Sequence, residues 1–283
     1  MSDLGVPDLA YWSGPGGEQW ARNQEYGDRQ FAPVAEALFK IATVRASERV
    51  VDIGCGCGTT TIALARMVGR QGRVLGIDVS AAMLALARNR APQGAPVEFV
   101  RADATNYAFP RGAFDLLFSR HGVMFFAEPV RAFANLRTAL APGGRLAFSC
   151  FRAPRDNPWA MTPLQAAYRF VPPLPKLGPE DPGPFSFADE TRVRRILGAA
   201  GFADIALQPV DLEFDLAVGR GLDAAVANVV ELGPTSRAVQ GQSAEIRAKV
   251  AAAMRETLAP HVKGETVQLG AAVWLVTAHN PES

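Results

Sequence analysis

The run Val50 to Thr61, VVDIGCGCGTTT, joins an apolar segment to three glycines at alternate positions and then to three threonines. The helical periodicity of TTIALARMV at 60–68 makes the whole a strand, a bare turn and a helix, with Thr59 or Thr60 placed to cap the helix. The same alternation continues outward. RVLGID (73–78) reads as a second strand, SAAMLALARNRA (80–91) as a helix with Ser80 as N-cap, and VEFVRAD (97–103) and FDLLFSR (114–120) as further strands. PVRAFANLRTAL (129–140) is a helix with proline in its first turn, stopped by Pro142–Gly144, and RLAFSCF (145–151) is a fifth strand. Strict alternation of strand and helix predicts an α/β fold, a doubly wound parallel sheet. Its nearly unbroken apolar strands are buried on both faces.

Beyond this core the pattern thins. Residues 1–30 form an N-terminal arm holding Tyr11, Trp12, Trp20 and Tyr26, and 31–151 form the Rossmann-like core. Residues 152–188 are a proline-rich insertion, with a helix at 158–171 and a long loop of the kind that carries binding. Residues 189–283 return to the core as a helix (189–202), a strand (203–216) and a last strand (267–279), interrupted by a helical insertion at about 217–263. The 283 residues carry a net charge of +1 with no block of like charge, which argues against a nucleic-acid or anionic-membrane surface. No apolar run reaches transmembrane length, MSDLGVPDLAYW lacks a basic leader, and three cysteines suit a reducing compartment, so a cytoplasmic location is expected.

A glycine loop after the first strand admits a ligand close to the backbone, and the helix behind it favours an anionic group. Gly54, Gly56 and Gly58 therefore bound a pocket. Asp78, ending the second strand about 20 residues later, stands where a ribose diol is held in dinucleotide folds. The ligand reads as a nucleoside with a charged attachment, either a nicotinamide dinucleotide or S-adenosylmethionine. Thr59 occupies the third-glycine place of G-x-G-x-x-G, and no tyrosine is followed four residues later by lysine, which weakens the reading as an NAD(P)-dependent oxidoreductase. Cys55 and Cys57 have no His or second Cys pair near them in sequence, so no metal is expected.

VVDIGCGCGTTT, GIDVSAAML, ADA, FDLLFSRHGVMFF and LRTALAPGGRLAFSC, in this order over roughly residues 30–151, resemble the class I S-adenosylmethionine-dependent methyltransferases, most of all their UbiE-like small-molecule branch. The resemblance implies a Rossmann-like sheet of seven strands, the last antiparallel, with helical and loop cap insertions. It also implies S-adenosyl-L-methionine as cofactor and a small-molecule methyl acceptor as partner. By it, Gly54, Gly56 and Gly58 pass under the amino-acid part of the cofactor, Asp52 helps hold its ammonium, and Asp78 binds the ribose hydroxyls. Val79 and Met83 flank the adenine, Asp103 with the Ala104 backbone reads its amino group, and Ser119 or Arg120 offers a carbonyl near the sulfonium. A DNA- or glutamine-methylating member carries a Pro-Pro-aromatic motif where this chain reads SRHG. His121 is the candidate base for an oxygen acceptor, which gives O-methylation a slight preference over N or C. Arg120 has a structural alternative, pairing with Asp115 or Glu128. Tyr11, Trp12 and Trp20 are expected as a lid or as packing on the core, and Met124, Phe125 and Phe126 as pocket lining or core. A protein of this fold that binds the cofactor without methyl transfer, as a cyclase does, remains the alternative.

Overall fold

The computed structural model describes residues 9–178 and 180–281, so the first eight residues of the expected arm lie outside the described residues. Three short helices open it, α1 (Leu9–Ser13), α2 (Pro15–Arg22) and α3 (Gln24–Gln30), followed by α4 (Ala32–Ala42). The core alternates as read from the sequence: β1 (Arg49–Ile53), α5 (Thr59–Val68), β2 (Arg73–Asp78), α6 (Ala81–Arg90), β3 (Val97–Arg101), β4 (Phe114–Arg120), α7 (Pro129–Ala139) and β5 (Leu140–Phe151). The rest comprises α8 (Pro158–Ala167), α9 (Glu190–Ala199), β6 (Ala203–Asp215), α10 (Gly221–Glu231), α11 (Pro234–Val239), α12 (Ala244–Leu258), the two-residue β7 (Val262–Lys263) and β8 (Thr266–His279). No described helix is long and apolar enough to cross a membrane.

The sheet runs β3-β2-β1-β4-β5-β8-β6, with β7 paired only to β8. The seven principal strands match the expected number, and β8 is the antiparallel one, set between β5 and β6. Strand order reverses between β1 and β4, so the chain leaves these neighbours in opposite directions and opens a crevice at their carboxyl ends. Val50, Val51, Leu116, Leu117 and Phe118 are buried because helices cover the sheet: α5 lies on β1 and β2, α6 on β2 and β3, and α7 on β5.

Two local expectations differ from what is found. Gly58, in the left-handed region, is the N-cap of α5, and no side chain caps that helix. The hydroxyls of Thr60 and Thr61 instead lie within the first turn and donate to Asp52 at 2.7 Å each. Pro142–Gly144 fall inside β5, where the pairing slips between Phe114↔Leu140 and Leu116↔Arg145. The proline-rich insertion is fastened by Asn157, fully buried. Its amide donates to the carbonyls of Arg152 and Ala153, and its oxygen accepts from Trp159 Nε1 and the Ala272 amide. Every polar atom of that side chain is used, which ties α8 to β8 and sets Trp159 in place.

Candidate functional site

A cavity of about 400 Å³ opens at the carboxyl ends of β1, β2 and β4. Of the residues singled out in the sequence, Gly54, Gly56, Asp78, Val79, Met83, Asp103, Ala104, Arg120 and His121 line it. Asp52, Gly58 and Ser119 do not; they stand behind the wall and hold it.

The three glycines serve three purposes. A Cβ on Gly54 would stand 2.8 Å from the Gly122 Cα, so Gly54 is bare to let the β1 and β4 loops touch. A Cβ on Gly58 would meet Ala87 at 2.9 Å, so Gly58 admits α6. Gly56 faces open space, with only the Met83 sulfur within 4 Å of such a Cβ, and its φ of +53° suits glycine. Its amide donates to Asp78 Oδ2 at 2.8 Å, and the Ser80 amide donates to Oδ1 at 2.8 Å. Each carboxylate oxygen keeps a lone pair for a ligand hydroxyl. Burial raises the Asp78 carboxyl above its ordinary value, so donors from a ligand diol would favour its ionised form.

Ser119 braces the other loop. Its hydroxyl donates to the Ile53 carbonyl at 2.8 Å and accepts from the Gly122 amide at 3.2 Å. Asp52 is fully buried on the Thr60 and Thr61 hydroxyls, and burial pushes its carboxyl up to about 6 against their opposing pull. Its Oδ1 has no partner. Asp103 accepts from the Thr105 amide at 2.8 Å, and the Ala104 carbonyl accepts from Asn135.

Arg120 is enclosed, and what accessibility it keeps is toward the cavity. It pairs with neither expected carboxylate, since Arg49 takes Asp115 and Arg131 takes Glu128. His121 follows with a φ of +61°, a strained conformation for a non-glycine residue. Its ring stacks on Phe151 at 4.2 Å and meets Phe31 edge-on at 5.7 Å. Its Nδ1 lies 3.5 Å from Ser149 Oγ. Burial first, then the charge of Arg120, pushes the imidazole down to about 3. Both causes favour the neutral ring.

The arm closes the site. Tyr11, Trp12 and Trp20 line the cavity; Trp12 packs edge-on against Phe125 at 4.9 Å, and Trp20 stacks on Phe31 at 5.9 Å. Met124 and Phe126 line it too, and Phe126 also packs on Phe133. Sequence reasoning missed a latch between arm and core. Asp28 of α3 accepts from Arg90 Nη2 at 2.7 Å and from the Thr59 hydroxyl at 2.5 Å, while Arg90 Nη1 donates to the Cys57 carbonyl at 2.6 Å. It also missed the far wall, Phe151, Trp159, Phe185 and Arg237, which comes from segments distant in sequence.

These residues fit a nucleoside bearing an amino acid. Asp78 suits a diol, and the open N-terminus of α5 beside Gly56 suits a carboxylate. The buried, unpartnered Asp52 Oδ1 sets a carboxylate behind the amino-acid end.

Comparison with known proteins agrees. Residues 50–144 match the model of a methyltransferase domain. The ubiquinone/menaquinone biosynthesis C-methyltransferase UbiE of Marinomonas sp. is 32% identical over 151 residues, 52% of this chain and 60% of that protein. The trans-aconitate 2-methyltransferase of Paracidovorax citrulli is 35% identical over 196 residues, 68% of each chain. The crystal structure of YcgJ from Bacillus subtilis superposes with a TM-score of 0.58 at 20% identity, covering 88% of this chain and 98% of that one. The match to UbiE thus spans about 60% of that relative's length. From the motifs, the sheet order and these likenesses, the chain belongs to the class I S-adenosylmethionine-dependent methyltransferases, in their UbiE-like branch.

Proposed function

We propose that the protein is an enzyme that methylates a small organic molecule, on oxygen, with S-adenosylmethionine as donor. When bound, the cofactor supplies an activated methyl group, which passes to the acceptor while the carbon–sulfur electron pair stays on sulfur. The observation that carries the reading is Asp78: a buried carboxylate at the end of β2 that braces Gly56 and lines the cavity. In this reading Asp78 holds the ribose, Val79 and Met83 flank the adenine, and Asp103 with Ala104 reads its edge. The Gly54–Gly58 loop and the start of α5 take the methionine carboxylate. Asp52 acts from behind the wall on the ammonium, and Ser119 keeps the Arg120 carbonyl beside it.

His121 serves as a neutral hydrogen-bonding wall rather than a base. The enzyme's work is then to hold donor and acceptor in line and exclude water. The aromatic arm supports that exclusion, and its rings favour a sulfonium. Oxygen is supported by the trans-aconitate methyltransferase, named for an acid. Carbon is the second reading, supported by the UbiE relative, named a C-methyltransferase. A net charge of +1 supports a small-molecule rather than nucleic-acid partner, and three free cysteines support a cytoplasmic setting.

Calorimetric titration tests the reading. Micromolar binding of S-adenosylmethionine and S-adenosylhomocysteine is expected, with no binding of NAD⁺ or NADPH. Asp78→Ala should weaken S-adenosylhomocysteine binding roughly 5- to 150-fold, about 1–3 kcal/mol for unpaired hydroxyls. Dinucleotide binding alone would reject the proposal. Cofactor binding with no methylated product across acceptor mixtures, read by mass spectrometry, would favour a non-transferring, cyclase-like role.

A further inference from the structure

Among the described residues four carboxylates line the cavity, and each is engaged. Asp28 is paired with Arg90, Asp78 holds the Gly56 and Ser80 amides, Asp103 accepts from Thr105, and Glu128 is paired with Arg131. Arg120 is left over. Among the described residues no carboxylate lies within ion-pair distance of it, and Nη1 is buried without a hydrogen-bond partner. Asp28 and Asp52 reach it only at longer range, and the ring of Phe31 lies 5.9 Å beneath the guanidinium. A guanidinium cannot shed its proton, and enclosing it uncompensated is costly, so the fold carries a charge that something else must answer.

The next residue completes a pair. His121 Nε2 is buried and unpartnered on the same wall. The Ser149 hydroxyl lies 3.5 Å from Nδ1, and the tautomer that accepts from it there carries its proton on Nε2 and presents a second donor. Beyond these two residues the wall turns aromatic, with Phe125, Phe151, Trp159 and Phe185. Arg237 adds a further enclosed cation at that end, beside Tyr11 and Tyr168.

We propose that Arg120 and His121 seat an oxyanion of the methyl acceptor, a carboxylate or an ionised phenol or enol, whose ring-bearing body lies against Phe125, Phe151, Trp159 and Phe185. The inference rests on the methyltransferase reading above and names the acceptor class of that site. It also removes the need for a base, because an acceptor that arrives ionised has no proton to lose at the site. The charge is shared with one other source, the carboxylate of the cofactor itself, and the test separates the two.

Titrate the protein, saturated with S-adenosylhomocysteine, with 2-naphthoate and trans-cinnamate and with the neutral 2-naphthamide and cinnamamide. At least one acid is expected to bind ten times more tightly than its amide. Arg120→Met should erase that preference, keep S-adenosylhomocysteine affinity within threefold, and leave the melting temperature unchanged or higher, since an unanswered buried charge is gone. Arg120→Lys should restore part of the preference. If the methionine variant instead binds S-adenosylhomocysteine no better than 5′-methylthioadenosine, Arg120 seats the cofactor's carboxylate and the proposal falls. It also falls if amides bind as well as acids, or if neither acid binds the wild-type protein. Failure of S-adenosylhomocysteine itself to bind the wild type would remove the methyltransferase reading and this inference with it.

Discussion

Asp52 shows how a motif residue acts without touching the cavity. It pairs in the sheet with Gly76 on one side and Phe118 on the other, and it takes the two threonine hydroxyls that begin α5. The strand and its acid were readable from VVDIG; the fate of the threonines was not, because Gly58 takes the N-cap place and the acceptor their hydroxyls meet is set by the depth at which the turn is buried. That depth has a pH signature. The folded carboxyl titrates near 6 and the unfolded one near 3.8, so between those values the folded state holds more protons. Stability therefore falls as pH rises through that window, and the cost is complete above about 6. At ~1.4 kcal/mol per pH unit it amounts to roughly 3 kcal/mol. Asp52→Asn keeps an acceptor for both hydroxyls and carries no charge. The stability of the variant relative to wild type should therefore climb by about that amount from pH 4 to pH 7, measured by urea unfolding at each pH. A difference that stays flat would mean Asp52 ionises normally.

At the scale of elements, the latch between α3 and α6 joins parts that are 62 residues apart in sequence. No local pattern points to it. Asp28 sits among polar neighbours in the arm, and Arg90 looks like any cation at a helix end. What local pattern did disclose was Ser80, whose oxygen accepts from the Met83 amide as an N-cap should. Capping is decided within one turn, and a latch is decided by how far two elements travel before they meet. Arg90 and Asp28 are both mostly buried, so their charge-assisted bonds hold the arm by on the order of 1.5–3 kcal/mol. Asp28→Ala should release α1–α3 while Arg90 keeps the Cys57 carbonyl. Faster tryptic cleavage at Arg22 and Arg29, with S-adenosylhomocysteine affinity lowered several-fold, is the expected result. Cleavage at the wild-type rate would show that the aromatic packing alone holds the arm.

Over the whole molecule, the sheet was legible because its apolar runs and the helices between them repeat a single local rule. The cavity was legible on one side only. Asp78, Val79, Met83 and Asp103 follow strands whose order the alternation implies. Trp159 and Phe185 reach the cavity from the proline-rich insertion, and Arg237 from α11, through tertiary contacts such as those of Asn157. The cavity is thus walled by arm, core and cap together, and a ligand that fills it must couple all three. At 100 times its dissociation constant S-adenosylhomocysteine adds about 2.7 kcal/mol. For a chain of this size that is a melting-temperature rise of roughly 4–5 °C. Hydrogen exchange resolves where the gain goes. Slower exchange is expected in the glycine loop, and equally in the arm around Trp12 and Trp20 and in the cap around Pro234 and Arg237, which line the same space. Protection confined to the loop and to the end of β2 would mean that arm and cap close on the acceptor rather than on the cofactor. An aromatic acid added to the saturated protein should then slow exchange in those two segments alone.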